Sequence, residues 1–432
     1  MKVHFIGIGG IGLSALARFM KYKGDVVSGS DIKDTPITQK LREENIKVDI
    51  PQSKNNIKNQ DLVIYSAAVL DNNPEIIEAK KQNLNLLTRK DALNIILKET
   101  KNYCVCAAHG KSTTTAILSS VLQSSAIIGA ISKEFNSNFR YISDTLAFEA
   151  DESDESFILS NPYCSIVLNT EPEHMEYYNY DEVRFYNAYK KFLDIAKVRV
   201  INAEDEFLKD YKGDAIRLYP SIDIKNIEYL LENDEPYTKF RLKDMGEFKV
   251  WGFGNHIALN AASVILATIP ILSVDKIREN LLKYKGIKKR FDILQKKEDF
   301  ILIDDYAHHP TEIKVTIDSV KLYQKYKKVD KIIIIWQPHK YSRTLDNLEA
   351  FKNCFDGCDE LIILPVWSVA EDIKNIDFKK EFSKYNITFC DKLNTVDGKV
   401  ELIQNNRVIK NVTKGIVVGV GAGDITYQLR YK

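Results

Sequence analysis

Two runs in this chain have residue types suited to holding phosphate oxygens: Gly7-Ile8-Gly9-Gly10-Ile11-Gly12 and His109-Gly110-Lys111-Ser112-Thr113-Thr114. Glycines let backbone N–H groups approach a pyrophosphate without a Cβ in the way, and the following helix offers its unpaired N–H groups and positive dipole end to the anion. Glycines at 7, 9 and 12 with Asp31 after the next strand satisfy the dinucleotide fingerprint, which alone would suggest NAD. The second run departs from the Walker pattern, because Val105 stands five positions before Gly110 where a glycine is usual. It keeps Gly110-Lys111-Ser112, in which the lysine reaches β- and γ-phosphates and the serine hydroxyl holds Mg²⁺. Glu149-Ala150-Asp151-Glu152-Ser153-Asp154-Glu155 follows the apolar run Leu146-Ala147-Phe148, so carboxylates lie at a strand end beside this turn. Glu149, nearest the strand, is the expected metal ligand, and most of the other carboxylates read as a solvated loop. Of seven histidines, His109, His174, His256, His308, His309 and His339 all fall at expected strand ends or helix starts, which favours a shared cleft. Two phosphate cradles in one chain point to an ATP-driven reaction on a second substrate that carries a diphosphate.

The elements that must position these residues are those of α/β domains. Short apolar strands (Val3–Ile8, Asp25–Ser28, Leu62–Tyr65) alternate with helical stretches such as Leu13–Tyr22. A second unit opens with Tyr103–Cys106 feeding the lysine turn, continues through Thr145–Phe148 and Ser165–Leu168, and ends in the apolar helix after His256. A third follows the basic run Lys283–Arg290, with strands ending at Asp304-Asp305-Tyr306, Trp336-Gln337-Pro338 and Leu364-Pro365, and a last strand Ile416–Val420. Ligands gather beyond the carboxyl ends of strands in such sheets.

The 432 residues exceed one ordinary core, and 44% apolar with 28% charged residues is an ordinary globular mixture. With 61 Lys+Arg against 60 Asp+Glu, nothing marks a nucleic-acid or membrane-surface binder. The glycine turn follows Met1-Lys2-Val3-His4-Phe5-Ile6 directly, leaving no room for a signal peptide, so a cytoplasmic protein is expected. The longest apolar stretch, Ile257 to Val274, is broken by Asn260, Ser263, Thr268 and Pro270 and reads as a buried helix. Six cysteines without paired C-x-x-C spacing read as reduced thiols.

Taken together, the chain resembles the Mur ligase family. The likeness rests on His4 to Gly12, His109 to Thr115, Glu149 to Asp154, Glu173-His174-Met175, Asp304-Asp305-Tyr306-Ala307-His308-His309-Pro310-Thr311-Glu312-Ile313 and Gln337-Pro338-His339-Lys340-Tyr341-Ser342-Arg343-Thr344. The resemblance implies three domains: an N-terminal Rossmann-like domain for a UDP-sugar (1–99), a central P-loop ATPase-like domain (100–284) and a C-terminal Rossmann-like domain that closes with an amino acid (285–432). It implies ATP and Mg²⁺ as cofactors, and UDP-N-acetylmuramate and L-alanine as substrates joined through an acyl phosphate in peptidoglycan precursor synthesis. A monomer or weak homodimer is expected, with no nucleic-acid or membrane partner. Under the resemblance, Gly7, Gly9, Gly10, Gly12, Asp31 and Ser66 serve the UDP-sugar, while His109, Gly110, Lys111, Ser112, Thr113, Asn255, His256, Asn260 and Asp305 serve ATP. Ser112, Glu149 and His174 serve the metal ions. Lys111, His174, Arg290, His308 and Arg343 form the catalytic group, with His308, His309 and Arg343 also binding the amino acid.

The chain departs from the family pattern at several positions. Ala107 replaces a glycine, so either its φ stays negative or it carries a strain on the order of 1–2 kcal/mol. Ile257 replaces an asparagine, which leaves Asn255 or Asn260 to contact the nucleotide, and Ile257→Asn would then lower the Michaelis constant for ATP. Glu173 replaces an aspartate. Val369-Ala370-Glu371 matches the usual small-Gly-Glu sequence only loosely. A dehydrogenase using the first turn alone would leave the lysine turn and both histidine-rich strings unexplained, and a nucleotide switch would leave the first turn unexplained.

Overall fold

The computed structural model describes all residues other than 328, 369, 370, 431 and 432, so Val369 and Ala370 lie outside the described residues. The chain divides into two compact units: Met1–Asn226, Phe240–Lys249 and Ala258–Lys285 make one, and Ile227–Lys239, Val250–Ile257 and Gly286–Lys432 the other. Three mainly parallel sheets organise them, in keeping with the expected three-domain α/β class.

The first sheet has five parallel strands in the spatial order Lys47–Asp49, Val26–Ser30, Lys2–Ile6, Leu62–Tyr65, Asn85–Thr88. The order reverses beside Lys2–Ile6, so the glycine turn that leaves this strand sits at the switch point where open sheets bind ligands. The helix Ile11–Tyr22 buries Leu13, Leu16, Phe19 and Met20, with Val3 and Phe5 in the same core cluster. Burying a side chain the size of Phe19 contributes about 2–3 kcal/mol. Gly10 starts the helix without a side-chain cap, so its first N–H groups are left for another acceptor.

The second sheet, in the same unit, runs Ile216–Leu218, Val198–Asn202, Pro162–Val167, Lys101–Cys106, Thr145–Glu149, Ser125–Ser132, Ser137–Arg140, with only the last strand antiparallel to its neighbour. Lys101–Cys106 is central and ends at the lysine turn, and its parallel neighbour Thr145–Glu149 delivers the acidic residues to the same edge. This geometry makes two distant sequence runs into one site.

In the other unit, the order is Asp292–Lys296, Phe300–Asp305, Gly415–Val420, Ile332–Trp336, Glu360–Ile363, Ile387–Phe389, the first strand being antiparallel. Gly415–Val420 is buried throughout, as a central parallel strand with both faces covered must be. Trp336 is fully buried among Phe351, Phe355, Phe378 and Phe382, with ring centroids 5.0 to 5.8 Å away, and this packing fixes the strand end that leads to His339 and Arg343. Two three-stranded sheets, Ile224–Glu232 with Glu235–Leu242 and Glu247–Trp251, and Lys392–Val396 with Lys399–Gln404 and Arg407–Val412, were not anticipated. No helix among the described residues is long and apolar enough to cross a membrane. All six cysteines are free thiols, and only Cys358 is partly exposed.

Candidate active site

The glycine turn is pinned by the strand beside it: the Gly7 and Ile8 amides donate to the Ser30 carbonyl at 2.9 and 3.0 Å, and the Gly9 amide donates to Asp31 Oδ2 at 2.8 Å. Gly7 has φ +82°, and a Cβ there would lie 3.2 Å from Ser66 Cβ, so both conformation and space require glycine. The turn opens on a cavity of about 480 Å³ whose walls include Gly7, Gly10, Asp31, Gln52, Ser66 and Asn73. Gly9 and Gly12 do other work. Gly9 backs onto Asp31, and Gly12 makes room for Arg89, whose Nε would be 3.1 Å from a Cβ at that position. Asp31 is thus engaged in holding the turn as well as lining the cavity, a role the dinucleotide fingerprint does not supply.

At the second turn Gly110 adopts φ +89° and starts the helix Lys111–Leu122. The turn is braced by Asn169, which accepts from the His109 amide and donates to the His109 carbonyl, both at 2.9 Å, while the His109 ring lies 2.9 Å from Glu171. Lys111 Nζ donates to the Ala107 carbonyl at 2.6 Å, the Ala108 carbonyl at 3.2 Å and Glu152 Oε1 at 2.8 Å. Ser112 Oγ donates to Glu149 Oε1 at 2.9 Å, and the other Glu149 oxygen accepts from the Gly129 amide at 2.7 Å. Ala107 is not among the residues with positive φ, so alanine at this position carries no left-handed strain.

Glu152 corrects the expectation of a solvated loop. It is fully buried, and the Tyr178 hydroxyl donates to its backbone carbonyl. Burial pushes the Glu152 carboxyl up to about 7 and raises Glu149 as well. Burial acts on Asp151 in the same sense, but Lys111 and Arg89 hold it below its ordinary value. Burial would lower the Lys111 ammonium, yet Glu152 and Asp151 keep it firmly charged. The second Glu152 oxygen has no hydrogen-bond partner among the described residues. Ligand atoms of Glu152, Glu173 and His174 all lie within 4.8 Å of one another, and His174 is held at φ +54°. Buried Glu152 with its unpartnered oxygen, half-buried Glu173 and the His174 imidazole make a donor set that fits a hard divalent cation, and the Ser112 hydroxyl with half-buried Glu149 offers further oxygen donors at the same turn. Ser112 and Glu149 come together as expected, whereas His174 meets Glu152 and Glu173. No motif singles out Glu152. Its signal would have been that it lies three residues past Glu149, beyond a strand end packed next to the lysine turn.

In the other unit, Arg290 lies 3.1 Å from Glu312 and over the Tyr306 ring at 5.5 Å. Glu312 also accepts from the His308 amide at 3.2 Å and lies 3.4 Å from the His308 ring. The His308 and His339 rings meet edge to face at 5.9 Å, and Arg343 lies 3.1 Å from His339 Nδ1. His309 sits just before the helix Pro310–Lys327. Asp305, expected to serve ATP, accepts from the Phe291 amide at 2.8 Å and the Ala307 amide at 2.9 Å, and burial pushes it up to about 6. Burial, with Arg290 adding to it, holds His256 down to about 4, so its ring is neutral at pH 7.

Asn255 accepts from the Tyr229 hydroxyl at 2.7 Å, whereas buried Asn260 stands against the lysine turn, its Oδ1 3.2 Å from where a Gly110 Cβ would be. Tyr284 bonds Thr113 in the same turn. Asn260 is therefore the better placed of the two amides. Ile257 is buried, its Cδ1 3.3 Å from a Cβ built on Gly252. Ile257→Asn should consequently destabilise the fold by about 1–3 kcal/mol through a buried unpaired amide, without improving ATP use. Denaturant unfolding checks this, and an unchanged midpoint with a lower Michaelis constant for ATP would restore the sequence expectation.

A family model described as Mur ligase family, catalytic domain, matches residues 2–101, and one described as Mur ligase, glutamate ligase domain, matches residues 289–420. A UDP-N-acetylmuramate–L-alanine ligase of Campylobacter curvus is 54% identical over 430 residues, covering 99% of each chain. One of Helicobacter pylori is 53% identical over 433 residues, covering 99% of this chain and 96% of the other. Among solved structures, a UDP-N-acetylmuramate-alanine ligase of Thermotoga maritima superposes with a TM-score of 0.82 at 28% identity, covering 99% of this chain and 97% of that one. Matched from end to end by such relatives, the chain belongs to the Mur ligase family.

Proposed function

We propose that the chain is an ATP-dependent carbon–nitrogen ligase that joins L-alanine to the lactyl carboxylate of UDP-N-acetylmuramate, in peptidoglycan precursor synthesis in the cytoplasm. The observation that carries this reading is the pairing of a glycine-walled cavity of about 480 Å³ with a separate lysine turn beside which buried Glu152, with Glu173 and His174, offers a donor set for a divalent ion. We assign residues 1–99 to the UDP-sugar, 100–284 to ATP and 285–432 to the amino acid. The glycine turn with Asp31 and Ser66 takes the diphosphate. Lys111 and the N–H groups at the start of its helix take the ATP phosphates and stabilise the charge that moves as the γ-phosphoryl group passes to the lactyl carboxylate. Ser112 and Glu149, with Glu152, Glu173 and His174, would hold Mg²⁺, which supplies charge neutralisation for two anions that must meet. Arg343 and His308 orient the alanine carboxylate so that its neutral amine attacks the acyl phosphate and releases phosphate. Water must be kept from that intermediate, a task suited to closure over the bound substrates.

A coupled assay of ADP release tests the reading. ADP should form only when ATP, Mg²⁺, UDP-N-acetylmuramate and L-alanine are all present. ADP release independent of the sugar nucleotide, or hydride transfer to a nicotinamide, would overturn it.

A further inference from the structure

Segments that adjoin the walls of the cavity at the glycine turn are joined through one buried carboxylate. Glu75 is fully buried, and four donors from three stretches of chain converge on it. Its Oε2 accepts from Ser30 Oγ at 2.5 Å and faces His4 Nε2 at 3.4 Å, while its Oε1 accepts from the Ser53 amide at 3.0 Å and Asn56 Nδ2 at 2.6 Å. His4 is itself oriented by Ser28 Oγ, 2.9 Å from Nδ1. Burial would raise this carboxyl, but His4, Ser30, Ser53 and Asn56 together hold it below its ordinary value, so it is ionised.

Two of these ties, those of Ser30 and Ser53, lead to cavity walls. Ser30 is the residue whose carbonyl receives the Gly7 and Ile8 amides, and Asp31 follows it. Ser53 follows Gln52, which lines the cavity. Glu75 itself sits in the first turn of the helix Pro74–Lys81, where the dipole favours an anion, directly after the lining residues Asn73 and Pro74. Asn73 closes the ring by accepting from the Glu75 amide at 2.9 Å and donating to Gln52 Oε1 at 2.7 Å. A junction needed only for stability could be apolar, since a buried charge is costly. A carboxylate with two oxygens, one for each wall, sets their separation.

Resting on the assignment of this cavity to UDP-N-acetylmuramate, we propose that Glu75 is a positioning residue for that substrate, fixing the glycine turn, the Gln52 segment and the Asn73-Pro74 corner in the spacing the diphosphate requires. Glu75→Gln keeps the shape but must turn an amide N–H₂ toward one of the two donor pairs, which releases one wall. The Michaelis constant for UDP-N-acetylmuramate should rise about tenfold in Glu75→Gln and about threefold in Asn56→Ala, while kcat and the Michaelis constant for ATP stay within about twofold. Steady-state kinetics of the full-length protein, with melting temperatures alongside, read this split. A folded Glu75→Gln with an unchanged sugar-nucleotide constant overturns the proposal. So does a variant in which kcat and both constants deteriorate together, as general loosening would produce. Should Glu75→Gln fail to fold, an unchanged constant in Asn56→Ala overturns it. A wild-type protein inactive with UDP-N-acetylmuramate would overturn the functional reading and this proposal with it, whereas an active wild type isolates the outcome to Glu75.

Discussion

Replacing Lys111 by alanine should abolish ADP formation, by at least about a thousandfold, while UDP-N-acetylmuramate still binds with near wild-type affinity. The Lys111 ammonium is the cation on which Glu152 and Asp151 both act, and it stands at the start of the helix Lys111–Leu122, the end proposed to take the ATP phosphates. Without it, transfer of a phosphoryl group to a carboxylate loses the charge that offsets two approaching anions. Burial already pushes the Glu152 carboxyl to about 7, so in the variant it can take up a proton rather than remain an unpaired buried charge, and the fold survives. The cavity at the glycine turn belongs to a different sheet and has no Lys111 in its walls. Coupled ADP assays and calorimetric titration of the sugar nucleotide separate the two effects. Retained turnover would remove the lysine turn from the mechanism.

Arg343→Lys should raise the Michaelis constant for L-alanine about a hundredfold and leave the affinity for UDP-N-acetylmuramate within about twofold. Burial and the neighbouring Arg343 hold His339 down to about 4, so at neutral pH its ring is uncharged and its Nδ1 can accept from the guanidinium 3.1 Å away. That contact fixes one edge of the guanidinium and leaves the rest of the planar fork to meet a carboxylate in two places. A lysine can keep the charge or the contact with His339, but it cannot present two parallel donors. Initial rates at varied alanine, with the sugar nucleotide saturating, measure the effect. An unaffected alanine dependence with a collapsed sugar-nucleotide affinity would place the amino acid elsewhere.

Much of this site was legible in the chain because its parts are contiguous. Gly7 to Gly12 and His109 to Ser112 each put the chemistry and the turn into one short string, and the strands feeding them are apolar runs whose ends the structure places within a few residues of where the sequence put them. Legibility fails where a role depends on neighbours distant in sequence. Glu149 and Glu152 look alike in an acidic run, and only the packing of Thr145–Glu149 beside Lys101–Cys106 separates them into a serine partner and a lysine partner. Asp31 and Asp305 are acids at strand ends, yet both hold backbone amides of nearby turns. The unanticipated sheets are polar on alternate residues, as in Glu235–Leu242, and turn through the left-handed pairs Asn233-Asp234 and Asn405-Asn406, signals that a search for buried apolar runs passes over.

The residues lining the cavity at the glycine turn fall between Gly7 and Pro74, and the carboxylate tied to its walls is the very next residue. On the proposed assignment, recognition of the nucleotide sugar is thus carried by one contiguous stretch of chain that could be exchanged whole, whereas the proposed divalent-ion site draws on side chains from Ser112 to His174 and cannot be moved in so compact a piece.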